Sequence, residues 1–168
     1  MRINEDTPNE GSLRPTILLL SWLTFCYAIC FVGYQGRMQG LWFWYVALRR
    51  PDWDVPTWLL TPAWTILFGL IGASLWNLFR EGPSRPRFVA ILLLIVQLIL
   101  SALEPWIYFA WHRMPVSLAM NTASCLIVLL AMVFSLKARP LSAKLMIPYL
   151  GWIVYGSILE FAVMRLNA

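Results

Sequence analysis

Polar side chains are rare in the apolar stretches of this chain, and where they occur their spacing is regular. Gln97, Ser101 and Glu104 are spaced i, i+4, i+7 in VQLILSALEPW, so on a helix they share one face. Pro105 cannot donate to the carbonyl of Ser101 and crowds it, so the helix is expected to bend there and leave that carbonyl free. A second acid, Glu160, stands about two turns beyond Trp152 and on the same helix face. An acidic side chain at the centre of a membrane span costs about 2.5–3.5 kcal/mol on insertion scales, so neither acid is expected to face lipid. No Lys or Arg falls inside the predicted spans to pair with them. Two resolutions stay open. The carboxyls are protonated, bonding to a neighbouring helix or sharing one proton if they face each other, or they line a polar cavity.

The aromatic residues divide in the same way. Trp64 and Trp152 fall within apolar runs rather than at their ends. They either pack as large rings or wall a cavity for a flat, hydrophobic molecule, with each indole N–H seeking a partner. Trp76, Trp106 and Trp111 read as packing or interface residues. His112, the only histidine, sits beside Arg113 in a tight loop and reads as solvated rather than as a metal or haem ligand. Cys26, Cys30 and Cys125 have no metal or haem-attachment spacing and read as buried free thiols. The chain shows no nucleophile–base pair, metal ligand set or phosphate loop.

The elements that must hold these groups follow from composition. Of 168 residues, 60% are hydrophobic and 12% charged, against about 45–50% and about 25% in soluble domains. That balance excludes a disordered tail, a nucleic-acid-binding domain and an ordinary cytosolic enzyme. Uncharged runs of 22 residues separate Arg14 from Arg37, 25 separate Asp54 from Arg80, and 23 separate Arg113 from Lys137. A helix needs about 20 apolar residues to cross the hydrocarbon core, and two further runs qualify once Glu104 and Glu160 are admitted. Five spans are predicted, near 15–35, 57–79, 88–111, 116–136 and 145–164, after a polar tail over 1–14.

The connections add detail. The first span is too long, and its leading segment too mixed in charge, for a signal peptide. The short loops make successive helices antiparallel neighbours, and 15–168 form a single five-helix transmembrane domain. Eight of the 13 Lys and Arg fall on the side of the N-terminal tail and five on the other, which favours a cytoplasmic N-terminus. In the long loop 36–56, Trp42, Tyr45 and Leu48 recur every three residues, as in a short interfacial helix or an aromatic belt. Gly69-x-x-x-Ala73 in the second span is a small-xxx-small pattern, suited to packing within the bundle or to a homodimer.

One passage is far more specific. WYVALRRPDWDVPTWLLTPAWTILFGLIG carries Trp44-Tyr45, Pro51, Trp53, Pro56, Trp58, Pro62, Trp64 and Thr65 in the order found in the TspO/translocator protein family of tryptophan-rich sensory proteins. The chain resembles that family again at Gln97, Leu98 and Phe109, and at Pro148, Tyr149, Leu150, Trp152, Leu159, Arg165, Leu166 and Asn167. It departs from the family pattern at Val55, Ser101, Glu104 and Glu160, the last three standing where the family carries Asn, Trp and Asn.

The resemblance implies an all-α membrane protein, a five-transmembrane-helix bundle of TspO type. It also implies a receptor for tetrapyrroles, sterols or lipid-like molecules with a regulatory or transport-related role. The candidate ligand site is Trp64, Gln97, Ser101, Glu104, Tyr149, Trp152 and Glu160, with Trp44, Tyr45 and Trp53 on a lid loop. Beyond the lipid bilayer, the expected partners are an apolar small molecule and a second copy of the chain through Gly69 and Ala73, with no nucleic acid. No cofactor is expected beyond a non-covalent porphyrin or haem-type ligand. The alternative function is a proton-coupled small-molecule transporter using Glu104 and Glu160. The resemblance also implies, as the one enzymatic reading, light-dependent porphyrin breakdown.

Overall fold

The structure, a computed structural model, describes residues 10–168, with side chains described from Arg14 onward. Residues 1–9 of the expected polar tail lie outside the described residues, and 10–14 already belong to the first helix. The elements are α1 (Glu10–Met38), a π-helical turn (Leu41–Tyr45), α2 (Thr57–Phe79), α3 (Arg85–Pro105), a second π-helical turn (Trp106–Ala110), α4 (Met114–Ala138), α5 (Pro140–Leu145) and α6 (Ile147–Leu166). They supply five spans long and apolar enough to cross a bilayer, and no strand occurs among the described residues.

Local chemistry sets the boundaries. Ser84 caps α3, its hydroxyl accepting from the Arg87 N–H at 3.4 Å, with a proline in the first turn. Arg139 precedes Pro140 and is driven out of helical geometry, to φ −153°, which ends α4 and separates it from the short α5. His112 turns the three-residue link between the second π-helical turn and α4 with φ 55°, a left-handed conformation that histidine adopts more readily than branched residues.

α1 packs on α2 and α3, α4 joins α3 to α6, and α5 docks on α2. On α3 the outward side chains Phe88, Leu92, Val96, Ile99 and Leu103 follow one helical stripe. The buried residues Ala90, Leu94, Gln97, Leu98 and Ala102 follow the opposite one. The stripe facing outward is as apolar as the one facing inward, as lipid requires.

The bundle is filled unequally. Leu67, Ile71, Leu75, Leu94, Leu98, Val128 and Met146 pack a solid core through one half. The other half, next to the long loop, is hollow. Its end is closed by a second, smaller cluster in which Leu41 and Tyr45 of the first π-helical turn meet Tyr108 of the second. Close approach of backbones makes this possible: a Cβ on Gly36 would lie 2.6 Å from the Trp106 ring, and one on Gly40 would collide with the Phe109 carbonyl. Trp106 is fixed there by donating its indole N–H to the Val32 carbonyl at 3.0 Å.

Three expectations are corrected. α1 runs through Arg37 to Met38 rather than stopping before the charge, because the guanidinium turns inward, where it is 6% exposed. In the loop, Leu41 and Tyr45 face inward while Trp42 is 57% exposed, since the π-helical turn shifts the buried stripe by one position from the expected spacing. The Gly69 face is already occupied by α1: a Cβ at Gly69 would lie 2.8 Å from the Tyr27 hydroxyl, and one at Gly72 would lie 3.0 Å from Leu23. Small residues there serve packing between α1 and α2 of one chain, and a homodimer through Gly69 and Ala73 would require α1 to move aside.

Candidate functional site

The hollow half encloses a cavity of about 420 Å³, reached by side chains from α1, α2, α3, α4 and α6 and from the long loop. That volume falls in the range of about 300–1,000 Å³ typical of small-molecule sites. One wall is aromatic. The rings of Trp64 on α2 and Trp152 on α6 stand 6.2 Å apart at 82°, and Trp152 meets Tyr155 at 5.9 Å. Such edge-to-face contacts hold each ring in a fixed orientation.

The polar wall is built around α4. Glu104 of α3 and Glu160 of α6 both line the cavity. The Ser117 hydroxyl donates to Glu104 Oε1 at 2.7 Å, and the Asn121 amide donates to Glu160 Oε2 at 2.8 Å. Ser117 and Asn121 are one turn apart on α4, so a single helix face serves both acids, and Ser117 also faces Glu160. Glu160 is 5% exposed and its Oε1 has no hydrogen-bond partner.

Across the cavity lies Arg37. It donates to the Thr61 hydroxyl at 3.1 Å and lies 5.4 Å from the Tyr34 ring centroid, while its Nε has no partner. The described residues form two salt bridges, Arg50–Asp54 and Arg139–Glu81, and neither involves a cavity group. Arg37 and Glu160 are therefore buried, and Glu104 half-buried, ionisable groups without an ion-pair partner, a costly arrangement in a low-dielectric interior.

Of the residues expected at the site, Trp64, Ser101, Glu104, Trp152, Glu160 and Tyr45 reach the cavity. Gln97 and Tyr149 do not, and their expected role as polar anchors in the cavity is corrected. Both are fully buried behind the wall, where the Gln97 amide donates to the Tyr149 hydroxyl at 3.0 Å and to Ser101 Oγ at 3.2 Å. Ser101 donates to the Gln97 carbonyl at 2.9 Å, which leaves Tyr149 to donate to Ser101 across 2.6 Å. Helix geometry put Gln97 and Ser101 on one face, but α6 covers Gln97 one turn before the hollow begins. The expected bend at Pro105 takes the form of a change from α to π winding at Trp106, and the Ser101 carbonyl faces Gly33 of α1.

The lid residues divide as well. Only Tyr45 of the three reaches the cavity. Its hydroxyl donates to Asp54 Oδ2 at 3.1 Å, and Arg50 donates to the same oxygen at 2.8 Å while lying over the Tyr45 ring. Burial, reinforced by the Asp54 charge, pushes the Tyr45 phenol above the ordinary tyrosine range. Trp44 stacks on His112 at 4.3 Å, and Trp53 packs edge-on against Tyr155, which donates to the Trp53 carbonyl. Asn167 holds the middle of the loop: its amide donates to the Arg49 carbonyl at 2.9 Å, and its oxygen accepts from the Arg49 N–H at 3.0 Å.

Arg37, Ser117 and Asn121 were not expected at the site. The signal for the last two was present: Ser117, Asn121 and Ser124 form an i, i+4, i+7 polar stripe in an otherwise apolar span. Among the described residues no group of three or more His, Cys, Asp or Glu gathers as a metal site would require.

Over residues 20–166 the chain matches the TspO/MBR family. It is 30% identical over 156 residues to the tryptophan-rich protein TspO of Archaeoglobus fulgidus, covering 89% of this chain and 99% of that one. It is 31% identical over 146 residues to the translocator protein of Homo sapiens, covering 82% and 83% of the two chains. With the tryptophan-rich protein TspO of Chlorobaculum tepidum it shares 27% identity over 155 residues, 92% and 98% of the respective chains.

Proposed function

The chain belongs to the TspO/MBR family, and from that premise we propose that it is an integral membrane receptor for an apolar, partly planar small molecule. Tetrapyrroles, sterols and lipid-like molecules are the classes that suit a hollow walled by rings. The observation that carries this reading is the cavity itself, with Trp64 and Trp152 meeting edge-to-face at 82° on one of its walls. A flat molecule can lie against one ring face and meet the other ring edge-on. The long loop acts as the lid, with Tyr45 as its inner surface. The role we assign is binding with a regulatory or transport-related consequence. The excess of Lys and Arg on the N-terminal side supports a cytoplasmic N-terminus in a bacterial cell membrane.

Titration of the purified protein with protoporphyrin IX and with cholesterol, followed by tryptophan quenching, tests the proposal. Saturable binding of at least one, weakened tenfold or more in Trp152→Ala, is the expected result. Absence of saturable binding, or binding indifferent to Trp152→Ala, overturns it. The two acids give a second reading, a proton-coupled transporter. Accumulation of ligand in reconstituted vesicles, dependent on an imposed pH gradient and lost in Glu104→Gln, would replace passive binding by transport.

A further inference from the structure

We propose that the cavity recognises its ligand through a protonated amine, held by Glu104 with Glu160 as a second negative group. This deepens the receptor reading above and rests on it.

Four observations carry the inference. Glu104 commits only Oε1, to Ser117; its second oxygen has no hydrogen-bond partner among the described residues, and the side chain is half-buried at the cavity wall. Glu160, almost wholly buried in the same wall, likewise commits one oxygen, to Asn121. The hydrogen-bond donors of α4 are used up in orienting the two acids, so each acid presents its remaining capacity as an acceptor. An N–H donor bearing positive charge satisfies that capacity better than any neutral group.

The rings point the same way. Tyr27, Phe31, Tyr34, Trp64, Tyr108 and Trp152 all line the cavity, and ring faces attract an ammonium or a charged aromatic amine. A cage of rings closed by a carboxylate is a chemistry suited to cations rather than to sterol hydroxyls or plain hydrocarbons.

Charge balance agrees with this. With all three groups ionised, Arg37, Glu104 and Glu160 leave the cavity one negative charge in excess. Arg37 is held on the α1–α2 side by Thr61 and the Tyr34 ring, and it acts on Glu104 across the cavity without pairing with it. A single positive charge entering beside Glu104 and Glu160 brings the site to neutrality, whereas an anion at Arg37 adds to the excess. The position of the acids orients the ligand: its charged end lies against α4, and its flat end lies along the wall that Trp64 and Trp152 form.

The test uses the full chain in phosphatidylcholine nanodiscs and three probes sharing one ring system: 1-naphthylmethylamine, 1-naphthalenemethanol and 1-naphthaleneacetate. Affinities are read at neutral pH by calorimetry, with binding to empty nanodiscs subtracted. The amine is expected to bind at least tenfold more tightly than the alcohol. Glu104→Gln is expected to bring that ratio within threefold, and Glu160→Gln to lower it at least threefold. Saturable binding of the alcohol in both variants shows that the cavity is still formed. If all three probes bind alike, or the acetate binds best, with Trp152→Ala weakening each, the amine proposal is overturned while the receptor reading stands. An amine preference that survives Glu104→Gln also overturns it. If no probe binds beyond the empty nanodiscs, the amine proposal falls, while the receptor reading still stands or falls on the protoporphyrin IX and cholesterol titrations.

Discussion

Replacing Asn167 by alanine should free the middle of the long loop without touching the cavity. Asn167 grips both backbone groups of Arg49, through bonds of 2.9 and 3.0 Å, and ties itself to its own helix through the Val163 carbonyl. Each intramolecular hydrogen bond contributes a net ~0.5–1.5 kcal/mol. Both residues are exposed, which places the pair of bonds at the lower end, about 1–2 kcal/mol together. At about 1.4 kcal/mol per factor of ten, the open population of the loop should rise roughly 5- to 30-fold. Trypsin reads this directly. The Arg49 carbonyl that accepts from Asn167 belongs to the Arg49–Arg50 peptide bond, which trypsin cleaves, whereas Arg50 is followed by Pro51 and resists. When opening and closing are fast relative to cleavage, the cutting rate follows the open population. Appearance of the fragment ending at Arg49, followed by mass spectrometry at low protease, should therefore accelerate 5- to 30-fold in Asn167→Ala. Asn167→Asp keeps the acceptor but loses both donations, so it should fall between the two. A rate in Asn167→Ala within twofold of the parent would show that Arg49 is held by something other than this clamp.

Two further outcomes follow from the loop end of the bundle. Gly36→Ala places a methyl group against the ring and backbone nitrogen of Trp106, an overpacking worth about 1–3 kcal/mol. It should lower the thermal midpoint and weaken ligand binding, because Trp106 adjoins the helix turn that carries Glu104; an unchanged midpoint would refute the close approach. The Tyr45 phenol, raised above the ordinary range of about 10, stays protonated when exposed tyrosines ionise. Its bond to Asp54 is thus fully present below the ordinary value and is lost only as pH rises through the higher folded value. Ultraviolet titration of Tyr45→Phe against the parent should show no difference in phenolate absorbance up to pH of about 10.

Much of the architecture was legible because lipid imposes simple rules. Uncharged runs marked the five spans, and helix geometry put Ser101 with Glu104, and Trp152 with Glu160, on common faces. What escaped is what only tertiary neighbours decide. Arg37 was treated as the boundary of a span, since nothing local reveals that Thr61 and Tyr34 will receive its guanidinium inside the bundle. Gln97 and Tyr149 share the right faces but lie one turn deeper, where α6 closes over α3. Ser117 and Asn121 were visible as a polar stripe, yet their purpose depends on acids donated by two other helices. The π-helical turn separates Trp42, Tyr45 and Leu48, which the spacing put on one stripe: Leu41 and Tyr45 are buried, while Trp42 is exposed as an interfacial ring would be. The glycines gave no local hint of which helix would use them: Gly69 and Gly72 meet Tyr27 and Leu23 of α1.

The uneven filling of the bundle has a directional consequence. Beneath the chamber, Ile71, Leu75, Leu94, Leu98, Val128 and Met146 pack against one another as a buried aliphatic cluster. On the receptor reading proposed above, the hollow is a blind well rather than a pore. A guest admitted at the rim departs by that same rim, and passage to the far side would demand that tightly interlocked aliphatic side chains part and reseal. On the same reading, the loop that covers the rim is the part of the chain placed to respond to occupancy.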